Sequence, residues 1–574
     1  MRILLLTHAF NSLAQRLFVE LRDDGHEVSV ELDIADAVTE EAVALWQPDV
    51  VIAPFLERLI PESVWSTRLC LVVHPGPPGD RGPSALDWAI EQDVREWGVT
   101  VLQAIGDYDA GPVWAWRGFA LRDGATKSSI YRHEVVRGAV AAVREALAAW
   151  RPGAAGAQAA APGRWQPLMT QDQRRIDWSR DGTDIVLRHL RAADGSPGVA
   201  DALWGAPARL FDAHRASDGD LQRAPHGVAG SVVARRGPAV LRRTVDGGVW
   251  IGHVRRSGAA GGADALKLAA TRAFAAEAAA LPELAVPLQR DDATWDELRY
   301  REFGSGASCI GVLDFDFHNG AISVRQCGRL LAALREAAAR PTRVLVLGGG
   351  ADFFCNGIHL HEIEAAQHDS GGSAADASMA SIEAIDDVAL AILSLTDRLV
   401  VAALRGNAGA GGCFLALAAD QVWCHAGVVQ NPHYKNMGNL HGSEYWTYLL
   451  PRRIGEARAR ELMARRLPMG AREAHALGLV DAVLGDDAAG FDAAVVARAQ
   501  ALATAADHSA QVAAKAARRA ADERARPLAA YRDDELRIMQ RNFYGFDASY
   551  HVARHHFVHR KPHAWTPRHL AIHR

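Results

Sequence analysis

The chain has 574 residues, 49% of them hydrophobic and 23% charged, with a formal net charge of −5. At about 150 residues per domain this length predicts several domains, and the balance excludes a disordered chain and a charge built for nucleic acid. Six cysteines, none in a CxxC pair, exclude a disulfide scaffold; without a leader-like start or a long uncharged apolar run, the chain reads as cytoplasmic, with no membrane and no nucleic acid as partner.

Residues 3–6 form a short apolar run, 11–24 carry apolar side chains at helical spacing, and 27–32 alternate as a strand does. Residues 50–54 and 69–73 are two further buried-strand candidates. Strands separated by helical segments predict an α/β unit on a parallel sheet. No GxGxxG follows the first strand, so dinucleotide binding has no support. The stretch 151–164 is almost all Ala, Gly and Pro and predicts a linker. From 165 to 258, short apolar runs at 185–187, 232–234 and 249–254 lie between Gly and Pro turns, which predicts a small β-rich domain. SGAAGGAD at 257–264 and the Ala-rich segment after it mark a junction that runs from 259 to 291. A second α/β body begins near 292, with strands at 310–315, 344–347 and 399–404, a helix capped by Ser323 and stopped by Pro341, and another near 378–396. Residues 369–376, DSGGSAAD, predict a mobile loop between them. The segment 498–540 is helical in composition and leads to a His-rich tail at 541–574.

Two places carry chemistry. The strand at 69–73 runs into His74 and then Pro75-Gly76-Pro77-Pro78-Gly79-Asp80-Arg81-Gly82. Ligands of parallel α/β sheets sit at the carboxyl ends of strands, so a His there is placed for proton transfer, although a lone His is more often structural. Asp109 precedes a glycine turn; it matters to chemistry if it folds back onto His74, where a carboxylate fixes the tautomer of the ring. Farther on, Gly348-Gly349-Gly350 and Gly406 to Gly412 follow strands and could expose two main-chain N–H groups to one oxygen, or simply allow close helix packing.

The first segment resembles the formyltetrahydrofolate-dependent formyltransferases, whose mark is a strand, Asn-x-His, a Pro/Gly-rich loop and a later Asp before glycine. That resemblance implies His74 and Asp109 as catalytic residues, thirty-five positions apart, and Asp80, Arg81 and Gly82 in the folate loop. It departs at Val72, where the family has the Asn that helps hold the formyl oxygen. Arg175-Ile176-Asp177-Trp178 and the run after it resemble the second, β-barrel-like domain of the tRNA formyltransferases. The rear third resembles the crotonase (enoyl-CoA hydratase/isomerase) superfamily through Asn319-Gly320-Ala321-Ile322-Ser323, Phe354 to Ile358, Gly409-Ala410-Gly411-Gly412 and Leu477-Gly478-Leu479-Val480-Asp481. This implies oxyanion donors at the N–H groups of Ile358 and Gly411, with Gly357 and Gly409 in the turns that hold a CoA thioester. The two glutamates of the hydratases are missing: Phe414 and Pro432-His433-Tyr434 stand there, leaving Tyr434 and Glu444 with His433, Lys435 and His441 around them. Glu444 could also be a solvated helix residue and Tyr434 a packing one.

The two-part layout resembles the HypX (HoxX) family of hydrogenase maturation proteins over nearly the whole chain, with Tyr434 and Glu444 at its Tyr and Glu. The expectation is an α/β multidomain protein with a formyltransferase-like parallel-sheet domain (1–150), a linker (151–164), a small β-barrel-like middle domain (165–258), a junction (259–291), a crotonase-like α/β domain (292–540) and a helical tail (541–574). The implied cofactors are 10-formyltetrahydrofolate and coenzyme A, and the implied products formyl-CoA and then carbon monoxide for the nickel–iron hydrogenase site, with hydrogenase assembly proteins as partners. A thioesterase releasing formate and a non-catalytic folate and CoA carrier are the alternatives. His551, His555, His556 and His559 have helical spacings, but no further ligand completes a metal set, so no metal is expected.

Overall fold

The computed structural model describes residues 1–151, 163–257 and 266–574. The segment expected as a linker (151–164) falls largely outside these residues, as does the start of the expected junction (259–291), whose remainder carries the strand Leu268–Ala269 and two short helices. No helix among the described residues is long and apolar enough to cross a membrane.

The front sheet has six strands in the spatial order Glu27–Leu32, Arg2–Thr7, Val50–Phe55, Leu69–His74, Glu96–Gln103, Val113–Ala120. The first four are parallel, as their buried apolar runs lead one to expect, but Glu96–Gln103 pairs antiparallel with both of its neighbours. The parallel-sheet expectation therefore needs correcting to a mixed sheet: the chain returns from His74 through a short helix, Ala85–Glu91, and then pairs back as a hairpin. Trp114 and Trp116 alternate on the edge strand, one buried and one exposed.

The middle body is an antiparallel sheet of Val232–Arg236, Ala239–Arg243, Gly248–Arg256, Ala206–Arg215 and Val199–Leu203, with Leu268–Ala269 added to its third strand. The run at 185–187 is not a strand. It lies in the helix Thr183–Ala193, which buries Val186, Leu187 and Leu190 at helical spacing; three adjacent apolar residues fit either period until their partners are known.

The rear body winds as a spiral. A six-stranded sheet orders Leu298–Phe303, Ile310–Phe315, Val344–Gly349, Leu399–Leu404, Gln421–Cys424 and Ala482–Val483, parallel after the first pair. Three of its strands are each followed, after a sharp turn, by a short strand of a second sheet: Phe353–Cys355, Asn407–Gly409 and Val429–Asn431. Ser323 opens the helix Val324–Ala338 with a reciprocal capping box to Gln326.

The bodies share core and charge. Val429 from the rear body and Leu570 from the tail pack into the front hydrophobic core. Arg132 and His133 reach Asp352 at 2.7 and 3.0 Å, and Gln15 accepts from Asn431 at 3.0 Å. The chain end closes the front sheet. Leu570 accepts the Val30 N–H at 3.0 Å, and Thr566 accepts that of Leu32 at 2.8 Å, which covers the edge strand. Thr566, His573 and Arg574 all donate to the fully buried Glu31.

Burial raises the pKa of Glu31, but the bonds from His573, Thr566 and Arg574 outweigh it and hold the carboxyl below its usual range. Its contribution to stability is therefore present at neutral pH and is lost as pH falls through that lowered pKa. Glu31→Gln is expected to cost about 2 kcal/mol and lower the melting temperature by a few degrees at pH 7, because three donors lose a buried charged acceptor, although Arg574 keeps its contact with Glu41 at 2.6 Å. Melting curves across pH check this: the gap between variant and wild type closes in acid, where both carry a neutral group.

Candidate active sites

His74 ends its strand, almost fully buried, and the Pro/Gly loop folds back over it. Asp80 Oδ2 lies 2.7 Å from His74 Nε2, and Asp109 Oδ1 lies 3.4 Å from Nδ1. Asp109 adopts a left-handed conformation, with φ at +50°, and its other oxygen accepts the Gly82 N–H at 3.1 Å. Gly76 is required here, since a methyl group at its Cα would collide with both His74 and Asp80. Arg81 faces away from the ring, onto Asp107 at 2.6 Å and the Tyr108 carbonyl at 3.0 Å. Gln166 donates to Asp80 at 3.0 Å, next to the short ladder of Arg164–Trp165 on Asp80–Arg81. The structure thus brings His74, Asp80, Asp109 and Gly82 together. It adds Gln166, which sequence reading missed because it lies beyond a low-complexity stretch.

In the rear body, sheet register places the second pair of turns. Cys355 pairs in parallel with Ala408, and Ile358 and Gly411 each stand three residues beyond that pair. A Cβ on Gly357 would lie 3.3 Å from the Gly411 nitrogen, so the two turns are in contact. Among the described residues no group accepts the N–H of Ile358 or of Gly411. Ala410, just before Gly411, is held at φ +47° and ψ −126°, a conformation that side chains resist and that aims the next N–H. Gly409 lies in the turn as well, beside the Asn356 carboxamide.

Glu444 closes the same pocket. Its side chain is buried, and a methyl group on Gly411 would overlap its Oε1. Tyr434 donates its hydroxyl to Glu444 Oε2 and lies stacked on Phe414 at 5.3 Å between ring centres. Burial first, and then the charge of Asp386, push the Glu444 carboxyl well above the usual carboxylate range. Burial also pushes the Tyr434 phenol up, as does the adjacent Glu444. Neither residue is a solvated or merely apolar contact. His433 and His441 are each brought down to about 4 by burial, so both rings are neutral at pH 7.

Three features escaped the sequence reading. Asp386 accepts the Glu444 N–H at 2.7 Å. Lys267, brought down to about 8 by burial and further by Arg560, shares its surroundings with Arg255, and its N–H donates at 3.3 Å to Nδ1 of His361, three residues along the chain from Ile358. The tail histidines form a knot on one carboxylate: Arg554 donates to Glu364 Oε2 at 2.8 Å, and His555 and His559 each lie 3.0 Å from Oε1. Burial opposes ionisation of Glu364, yet these donors hold it down at about 2, so its charge is already answered.

The rear body has the fold of the enoyl-CoA hydratase/isomerase class, and residues 310–568 match the sequence pattern of that family. The chain is 55% identical to the hydrogenase maturation factor HoxX of Bradyrhizobium diazoefficiens, over 100% of this chain and 97% of that protein. The crystal structure of HypX from Aquifex aeolicus in complex with tetrahydrofolic acid matches at 44% identity with a TM-score of 0.94, covering 100% of this chain and 99% of that one. A methionyl-tRNA formyltransferase of Myxococcus xanthus is 29% identical over 34% of this chain and 61% of its own. The chain belongs to the HoxX (HypX) family of hydrogenase maturation factors.

Proposed function

We propose that this chain makes carbon monoxide for hydrogenase maturation in two steps, with 10-formyltetrahydrofolate and coenzyme A as substrates. In the front site the CoA thiol attacks the formyl carbon, the N10–C bond breaks, and the thiol proton ends on N10, leaving tetrahydrofolate and formyl-CoA. His74 moves that proton, and Asp109 and Asp80 hold its ring. With Val72 at the position of the family's Asn, the Gln166 amide, bonded to Asp80, is a side-chain donor beside this cluster. A relative of this family was crystallised with tetrahydrofolic acid, which supports the folate half of the reading.

In the rear site the thioester oxygen sits between the N–H groups of Ile358 and Gly411. Glu444 removes the formyl hydrogen as a proton, the C–H electron pair stays on carbon as the lone pair of CO, the third C–O bond forms from an oxygen lone pair, and the C–S bond breaks with its pair on sulfur. The thiolate takes the proton back through Tyr434 and Glu444, so HC(O)–SCoA gives CO and HSCoA with no oxidant or reductant. The observation that supports this reading is a buried carboxyl of raised pKa packed against Gly411, in a turn that touches the Ile358 turn, with no acceptor among the described residues for either N–H. Lys267, Arg255 and Arg560 supply positive charge suited to the CoA phosphates. Phe414, packed flat on Tyr434, removes a polar group with which a hydratase would hold water.

Single-turnover gas analysis tests the proposal. Formyl-labelled folate plus CoA is expected to yield labelled CO; labelled formate as the sole product would instead establish a thioesterase, and binding of both ligands without product a carrier.

A further inference from the structure

We propose that Asp386 is a positioning residue for the rear site: its carboxylate fixes the backbone of Glu444, and its charge makes Glu444 a stronger base. The proposal rests on the reading of Glu444 as the base that takes the formyl hydrogen. Asp386 stands in the buried stripe of the helix Ala374–Leu393, between Ile382, Ile385 and Ala389, and is itself fully buried. Glu444 and Tyr445 are consecutive left-handed residues, with φ at +60° and +59°. Such a pair is held only by its surroundings, and two carboxylates do the holding. Asp386 Oδ1 accepts the Glu444 N–H at 2.7 Å, and Glu535 Oε2 accepts that of Tyr445 at 3.0 Å.

Holding an N–H does not require a charge; an amide or hydroxyl oxygen would serve. Asp386 nevertheless buries one: its Oδ2 makes no hydrogen bond of full geometry, and the hydroxyl beside its carboxyl is that of Ser443. The nearest cation is Arg532, with Nε at 3.8 Å, and that guanidinium is taken up by Asp387 at 2.7 Å and the Glu383 carbonyl at 3.0 Å. The groups facing Glu444 are few. Asp386 approaches from this helix, Glu535 from the helix Leu528–Tyr544, and Tyr434 and Ser443 from its own segment, while Asp387 and Arg532 act on Asp386. The thiols of Cys327, Cys355 and Cys413 complete the wall, pushed up by burial and so neutral. Asp386 is thus a fully buried negative charge bonded directly to the Glu444 backbone. Two carboxyl groups in one dry site hold a proton more tightly than either alone, which strengthens the base that must pull hydrogen from carbon.

The test uses the full-length protein and reads Glu444 directly. Infrared pH-difference spectra, with E444Q marking its carboxyl band, give the titration midpoint. In D386N the amide still accepts the N–H but the charge is gone, and the midpoint is expected to fall by about one pH unit or more. In R532Q the cation is lost, and the midpoint is expected to rise. CO release from supplied formyl-CoA follows alongside: the low-pH limb of the D386N profile moves down with the midpoint, and its plateau drops about tenfold, as befits a weaker base. Unmoved midpoints in both variants overturn the proposal whatever the product; should D386N not fold, R532Q alone decides. Shifted midpoints in a protein that releases only formate leave the positioning role standing and overturn the reaction instead.

Discussion

Glu444→Gln is expected to lower CO release by about a thousandfold while formyl-CoA still forms and accumulates, because a glutamine cannot accept the formyl proton. The substitution keeps the side chain's size and leaves an oxygen for Tyr434, so the turn at 443–445 retains its bonds to Asp386 and Glu535. What disappears is the basicity that burial and Asp386 confer. The wild-type rate is expected to rise with pH as Glu444 ionises, with a midpoint above the usual carboxylate range. Quenched-flow measurement of formyl-CoA and head-space measurement of CO separate the two steps. An E444Q protein that released CO at the wild-type rate would remove Glu444 from the chemistry.

The second large effect belongs to the front site. His74→Ala is expected to slow formyl-CoA formation by about 10²–10⁴-fold and to leave CO release from supplied formyl-CoA intact. The imidazole is the one group in that cluster touching carboxylates on both sides, Asp80 at Nε2 and Asp109 at Nδ1, and is therefore the group arranged to receive and pass a proton. Asp109→Asn keeps a hydrogen-bonding atom for the Gly82 N–H but removes the charge that stabilises a protonated ring, so a smaller loss is expected. Because the two assays start from different substrates, equal loss in both would mean that the bodies do not act independently.

Much of the site was readable without coordinates because its demands are local. A strand running into His74 and a proline-stiffened loop marks a ligand end of a sheet. Glycines after strands mark sharp turns and close approaches, and a side chain would collide at Gly76 and Gly411, while Gly357 takes a left-handed φ of +80°. The absence of hydratase glutamates was likewise visible, and Phe414 against Tyr434 is its structural counterpart. Asp386 was not visible as a site residue, since 58 positions separate it from Glu444. The one signal it left is an aspartate inside an otherwise apolar helical stripe, which ordinarily asks for a partner. The run at 185–187 misled for the opposite reason: three adjacent apolar residues carry no period, and only the sheet beside them chose helix.

From the amino-acid order alone came the candidate chemistry: a histidine with acids, two glycine turns able to expose N–H groups, a tyrosine and a glutamate. These depend on residue type and on backbone rules that act over a few positions. Their convergence came from folding. Parallel register between Phe353–Cys355 and Asn407–Gly409 sets Ile358 beside Gly411, and a left-handed pair held by two distant carboxylates turns Glu444 toward them. Such pairings join residues far apart along the chain, and their strength depends on burial, which no short window of sequence contains.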